Sequence, residues 1–168
     1  MAGLVVLLAL LGACGFTIAG TGDPTGDAGE ASADEAPIDV GFACPSGFTL
    51  RAPLSCHRPS TTSVAWRDAE VACESDGAHL VVVDDSAEDV ALPANVWIGA
   101  SELVIPGTFK WVTGVASAFT RWAPTEPGAV GGASCVEARP DGWHDDNCPE
   151  LKAYVCEYDG RAADPAQF

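Results

Sequence analysis

The side chains in this sequence able to do chemistry are seven cysteines, three histidines and 24 acids, set against eight basic residues. The densest group is His144-Asp145-Asp146, one imidazole beside two carboxylates, a donor set that could serve a transition metal or a hydrolytic centre. Nothing around it completes such a centre. The chain has no G-x-S-x-G nucleophile turn, no H-E-x-x-H and no phosphate loop, and His57 and His79 stand alone in the sequence. The triplet therefore reads as a solvated turn, and no catalytic residue is assigned.

The cysteines say more. Cys14 stands apart, leaving Cys44, Cys56, Cys73, Cys135, Cys148 and Cys156. No two of the six lie at C-x-x-C spacing, which favours structural disulfides in an oxidising compartment over a metal cluster. Six cysteines pair in 15 ways, and arithmetic alone does not choose among them.

Residues 4–11 are an unbroken apolar run, followed by Gly12, Ala13 and Cys14. A bilayer crossing needs roughly 20 apolar residues, whereas a signal-peptide core needs about 7–15. Leu11-Gly12-Ala13-Cys14 resembles the bacterial lipobox, whose cysteine becomes the first mature residue and carries lipid. Residues 1–14 are thus expected to be a signal peptide and Cys14 a lipidation site, although no Lys or Arg precedes the run. The alternative is plain secretion with cleavage after Ala19. The missing Asp after Cys14 favours an outer surface over inner-membrane retention. Either route exports the chain, as a cell-envelope lipoprotein or a secreted protein.

The formal charge of −16 repels phosphate backbones and anionic lipid. Nucleic acid is therefore excluded as a partner, and a membrane is met only through a lipid anchor. Residues 15–42 carry six acids and no base, lack periodicity and read as an acidic disordered tether.

The elements that must position the remaining groups lie beyond it. Residues 48–50 read as a short strand, and residues 60–63 offer helix N-caps. Trp66, Ala69 and Cys73 then share one helical face, stopped by Asp76-Gly77. Residues 79–83 read as a buried strand, and Ser86-Ala87-Glu88-Asp89 has the pattern of a capping box. Residues 95–100, 109–113, 134–139 and 153–158 read as strands, with a Gly/Pro-rich loop over 122–133. Helices early and strands late make the fold class α+β. A loop that long is expected to be functional or held down.

In order and spacing these motifs resemble the long-form C-type-lectin-like domain over residues 43–158. The resemblance rests on Cys44-Pro45-x-Gly47-Phe48, Cys56, Trp66-x-x-Ala69-Glu70-x-x-Cys73 and His79-Leu80. It continues through Trp97-Ile98-Gly99, Phe109-x-Trp111, Phe119-x-x-Trp122, Cys135-Val136-Glu137, Gly142-Trp143-x-Asp145, Cys148 and Tyr154-Val155-Cys156-Glu157. It implies two short helices, antiparallel strands, a long irregular loop and three disulfides, Cys44–Cys56, Cys73–Cys156 and Cys135–Cys148. Trp66, Trp97, Trp111 and Trp143 would be core residues, and residues 159–168 a flexible tail.

The family's sugar-binding members hold calcium with Glu-Pro-Asn, an acid before the next cysteine, and Trp-Asn-Asp. Here those positions read Glu126-Pro127-Gly128, Ala133-Ser134 and Trp143-His144-Asp145. Glu126 and Asp145 keep ligand character. Calcium wants 6–8 oxygen donors, for which imidazole is a poor substitute, so calcium is no more than a weak cofactor, with Glu137 or Asp146 as candidate helpers. Pro127 would be cis. The resulting expectation is a non-catalytic recognition module that binds a protein or glycan through Trp122, Glu126, Pro127, His144 and Asp145. A calcium-dependent carbohydrate-binding lectin and a structural or accessory lipoprotein are the alternatives.

Overall fold

The computed structural model describes residues 41–128 and 134–168. The apolar run, Cys14, nearly all of the tether and residues 129–133 of the long loop lie outside the described residues.

In chain order the elements are β1 (Thr49–Ala52), β2 (Ser55–Pro59), α1 (Trp66–Glu74), β3 (His79–Leu80), α2 (Ser86–Ala91), β4 (Val96–Ser101), β5 (Lys110–Trp111), β6 (Ser134–Arg139), β7 (Gly142–Asn147) and β8 (Ala153–Tyr158). Hydrogen bonding runs β1-β2-β8-β4-β6-β7, with β3 also on β8 and β5 on β4. The pairs are antiparallel except β4–β8, where Val96 and Trp97 meet Ala153 and Tyr154 in parallel. The last strand is therefore the hub, since it pairs with β2, β3 and β4. The architecture is the expected α+β.

The expected helical face of α1 is observed: Trp66, Ala69 and Cys73 are fully buried. Its start differs from the expectation. Ala65 is the N-cap and has no side-chain cap bond, while Ser60 is used elsewhere, accepting the N–H of Tyr154. Trp66 donates its backbone N–H to Cys148 O at 2.9 Å, which satisfies one helix-end donor from a distant segment. The α2 cap is displaced by one residue. Asp85 caps Ala87 and Glu88, and Glu88 reaches back to the N–H of Asp84 at 2.8 Å. The strand expected over 79–83 pairs as a strand only at His79–Leu80, yet Val81, Val82 and Val83 remain fully buried.

Gly99 lets β4 cross close to β3, because a Cβ there would meet Leu80 O at 2.5 Å. Trp66, Trp97, Trp111 and Trp143 are all core residues, at 0%, 0%, 9% and 2% exposure. Cys73–Cys156 ties α1 to β8, Cys135–Cys148 ties β6 to the segment after β7, and Cys44–Cys56 secures the N-terminal hairpin. This is the pairing that the resemblance implied.

The flexible tail over 159–168 is a correction. His79 reaches Asp159 at 3.1 Å, Asp164 donates its N–H to Val112 O at 2.7 Å, and Phe168 meets Trp66 edge-on at 5.9 Å. A short helical turn, Pro165–Gln167, closes the chain. The tail is held because its one aromatic and its acids find partners that its own sequence does not reveal.

Candidate functional site

The long loop leaves β5 and returns across β7. Trp143 donates its N–H to Arg121 O at 2.7 Å, and Ala123 donates to Trp143 O at 3.0 Å. This crossing requires Gly142, since a Cβ there would stand 2.6 Å from Ala123 N, and its φ is 142°. Trp143 supports the loop from below. Its ring meets Trp111, Phe119 and Trp122 edge-on at 5.7, 5.7 and 5.9 Å, and its Nε1 donates to Asp89 Oδ1 at 2.6 Å. The other oxygen of Asp89 lies 3.0 Å from Arg121. One buried carboxylate on α2 thus fixes both the platform tryptophan and the loop strand above it. Sequence reasoning saw Asp89 only as part of a capping pattern, and its separation of 54 residues from Trp143 left no local signal.

His144, Asp145 and Asp146 lie in strand β7, paired to β6, and not in the solvated turn expected; apart from one, the expected site residues come together. Glu126 Oε1 lies 3.1 Å from His144 Nδ1, and His144 Nε2 lies 3.0 Å from Asp141 Oδ1. Asp145 Oδ1 accepts the N–H of Gly128 at 2.6 Å. The Glu126–Pro127 peptide bond is cis, and Pro127 is exposed. Trp122 stands apart from this group: it is half-buried against Phe109, ring centroids 4.9 Å apart, and belongs to the aromatic platform. Burial pushes the Asp145 carboxyl up, but the Gly128 N–H and the bond to Glu126 outweigh it, so the group sits below its ordinary value.

As a calcium site the set is incomplete. A Cβ on Gly128 would sit 3.5 Å from Asp145 Oδ1 and 3.6 Å from Glu126 Oε2, so the two carboxylates converge on a position that bears no side chain. His144 brings ring nitrogen to Glu126 where an oxygen donor is wanted. Glu137 and Asp146 do not help: Arg139 reaches them at 2.6 and 3.0 Å, and Lys152 at 3.3 and 2.9 Å. These residues do not fit a family-type calcium site.

A second acid–histidine group is buried beside β8. His57 Nε2 lies 3.1 Å from Glu88 Oε1 and 4.0 Å from Glu157 Oε1, and the Ser55 hydroxyl donates to Glu157 at 2.7 Å. Glu157 also accepts the N–H of Val82 at 2.9 Å. Next to it, His79 bridges Leu80 O and Asp159. The donor atoms of His57, Glu88 and Glu157, and those of His79, Glu157 and Asp159, are close enough to share a cation. The two histidines that stood alone in the sequence are therefore clustered in space.

The titration of this group follows from its burial. Burial and the charge of Glu88 push Glu157 up to about 7. Burial likewise raises Glu70, on α1, to about 7 against the Leu80 N–H bond that lowers it. Burial also works against the charged form of Asp159, but the bonds from His79 and Arg161 prevail and hold it at about 2.

Residues 62–158 match the family model described as Lectin C-type domain. Human asialoglycoprotein receptor 2 is 37% identical over 117 residues, 61% of this chain and 37% of that protein. Human C-type lectin domain family 10 member A is 34% identical over 131 residues, 70% of this chain and 40% of that protein. The chain thus spans about two fifths of the length of these curated relatives. Among solved structures, a calcium-independent type II antifreeze protein matches with a TM-score of 0.64 at 28% identity, covering 73% of this chain and 96% of that one. The carbohydrate-recognition domain of cow CD23, solved with a GlcNAc2Man3 oligosaccharide, matches with a TM-score of 0.63 at 28% identity, covering 73% and 98%.

Proposed function

Because the chain belongs to the C-type lectin domain family, we propose that it is an extracytoplasmic recognition module whose ligand, a protein or a glycan, is met by the long-loop edge without dependence on calcium. Members of this family are non-enzymatic binding modules, and this chain is not an enzyme. The observation that carries the reading is the interrupted ligand set. Glu126 and Asp145 converge on Gly128, which has no side chain to join them, and His144 takes up Glu126. The contact surface is built from Glu126, Pro127, His144 and Asp145, with Trp122 beneath as a rigid support. Two solved relatives frame the choice, one a calcium-independent antifreeze protein and the other crystallised with an oligosaccharide.

Export is part of the proposal. Three disulfides in a domain of this size suit an oxidising compartment. Among the described residues no helix is long and apolar enough to cross a membrane. A lipid anchor at Cys14 with residues 15–42 as tether is the arrangement we favour. Mass spectrometry of the exported protein decides it: a lipidated N-terminal Cys14 supports an anchor, and a free N-terminus after Ala19 rejects it.

The test of function is binding to an array of GlcNAc- and mannose-terminated oligosaccharides, and capture from extracellular protein fractions, with calcium and then with chelator. Expected is binding unchanged within about twofold by chelator and weakened at least about tenfold by Glu126→Gln with Trp122→Ala. Binding abolished by chelator would establish the calcium-dependent lectin instead. Undiminished binding after both substitutions would move function away from the loop, as in an accessory or structural lipoprotein.

A further inference from the structure

A cavity of about 420 Å³ opens on the side of the long loop formed by residues 107–122. Its walls are aromatic: Phe109, Trp111, Phe119, Trp122 and Trp143 all line it. Such a volume lies within the range of small-molecule sites, which are mostly apolar with a few placed polar groups. The polar groups here are the hydroxyls of Thr108, Ser117 and Thr120, the Lys110 ammonium and the indole N–H groups. The chain has five tryptophans, and three spend their indole N–H inside the protein: Trp66 on Ile98 O at 2.8 Å, Trp97 on Val64 O at 3.2 Å and Trp143 on Asp89 at 2.6 Å. Trp111 and Trp122 have no such partner among the described residues, and both nitrogens are open to solvent. An indole nitrogen donates and never accepts, so an acceptor on a ligand would take the place of water at these two groups.

Charge points the same way. In a chain of net charge −16 the lining contains no acid, and its charged residue is Lys110, which makes no ion pair among the described residues. Two carboxylates stand behind the wall, both engaged by donors of their own, although Glu102 Oε1 is buried without a partner. Glu102 accepts the N–H of Gly107 at 2.6 Å, and Asp164 accepts from Ala166 and Gln167 at 3.0 and 2.7 Å. Aromatic walls, unspent donors and a cation at one cavity describe a receptor for a flat apolar body carrying an anionic acceptor.

We infer that this cavity is a second binding site, separate from the Glu126–His144–Asp145 edge, and that it takes a small aromatic carboxylate. Trp111 and Trp122 supply neutral donors, Lys110 supplies the charge, and stacking on the platform rings supplies most of the affinity. A site of this kind on a single-ring-system ligand gives a dissociation constant on the order of 1 mM.

The test uses 2-naphthoate as probe on the intact exported chain at about 0.15 M salt, where the net charge is screened beyond about 8 Å. The readout is the five indole N–H signals in a nitrogen–proton correlation spectrum. Expected are saturable shifts of the Trp111 and Trp122 signals, assigned by Trp→Phe variants, and little movement of Trp66 and Trp97. The neutral 2-naphthalenemethanol should bind about threefold more weakly and the cationic 2-naphthylmethylamine more weakly still. Lys110→Glu should weaken the carboxylate at least about threefold. Ala116→Trp, at an exposed lining position, should block the cavity with folding checked by the unchanged Trp66 signal. Absence of saturable shifts, an amine that binds as well as the carboxylate, or a Lys110→Glu protein with unchanged affinity would each overturn the inference. None of these results depends on whether the loop edge binds glycan or protein.

Discussion

Two acid–histidine clusters in this molecule use the same side chains to different ends. At the loop edge, His144 joins Glu126 and Asp141 with side-chain exposures of 15%, 20% and 64%. Beside β8, His57 joins Glu88 and Glu157 at 2%, 7% and 1%. In the first, water can replace any partner that is lost. In the second it cannot, so each oxygen is matched by a hydroxyl, a backbone N–H or an imidazole. The buried cluster is architecture, joining β2, α2 and β8. The loop cluster holds a surface and is free to change with the ligand.

The largest expected difference is in pH response. Glu70 and Glu157 are pushed from 4.5 to about 7 on folding. A carboxyl raised in the folded state contributes stability that is present below its unfolded value near 4.5 and lost as pH rises through about 7. For Glu70 alone this span corresponds to about 3 kcal/mol. His79 is also raised above its ordinary value, by bonds to Asp159 and Leu80 that outweigh its burial, and acts in the same direction. Asp159, held at about 2, contributes stability above its ordinary 3.8 that is lost as pH falls towards 2. Urea unfolding should therefore give greatest stability between about pH 4 and 5 and a fall by pH 8, most of it through the buried acids. Glu70→Gln should remove about 3 kcal/mol of that fall. A profile flat from pH 5 to 8 would break the distinction between the clusters.

Truncating each histidine sharpens the comparison. His57→Ala leaves Glu88 buried beside Glu157 without its imidazole partner and should cost about 3 kcal/mol at pH 7. His144→Ala, at the half-exposed edge, should cost less than about 1 kcal/mol. Equal losses would mean that the loop cluster is as structural as the buried one.

The smallest effect concerns calcium. Gly128→Asn with His144→Asn supplies oxygen donors where Glu126 and Asp145 already converge, and ordinary contact distances leave room for the new side chain. At 10 mM calcium the double variant should melt about 3 °C higher than without calcium, against less than about 1 °C for the natural chain. A natural chain that responds as strongly, and loses the response with Glu126→Gln, would show that the native edge holds the ion after all.

The patterns that sequence revealed were local. Trp66, Ala69 and Cys73 mark a helical face by their spacing, and the order of cysteine and tryptophan motifs carried the fold and, through family resemblance, the disulfide pairing. The Glu126–Gly128 and Trp143–Asp145 triplets likewise exposed a calcium set with its oxygen donors missing. What stayed illegible were groups whose meaning depends on distant partners. Asp89 read as a helix cap and holds Trp143 and Arg121; His57 read as a lone histidine and meets Glu88, 31 residues away. Ser60 to Ser63 looked like caps because propensity is local, but the start of α1 is set by Cys148 O.

The sequence by itself determined the two helices, most of the strands and the donor types on offer, because periodicity, turn residues and side-chain chemistry act over a few residues, whereas β2 and β7 escaped it. Only the tertiary structure decided which acids are matched, that residues 159–168 are held, and that Trp111 and Trp122 have unspent donors. Those facts follow from burial and from contacts between residues far apart in the chain, and no local pattern encodes either.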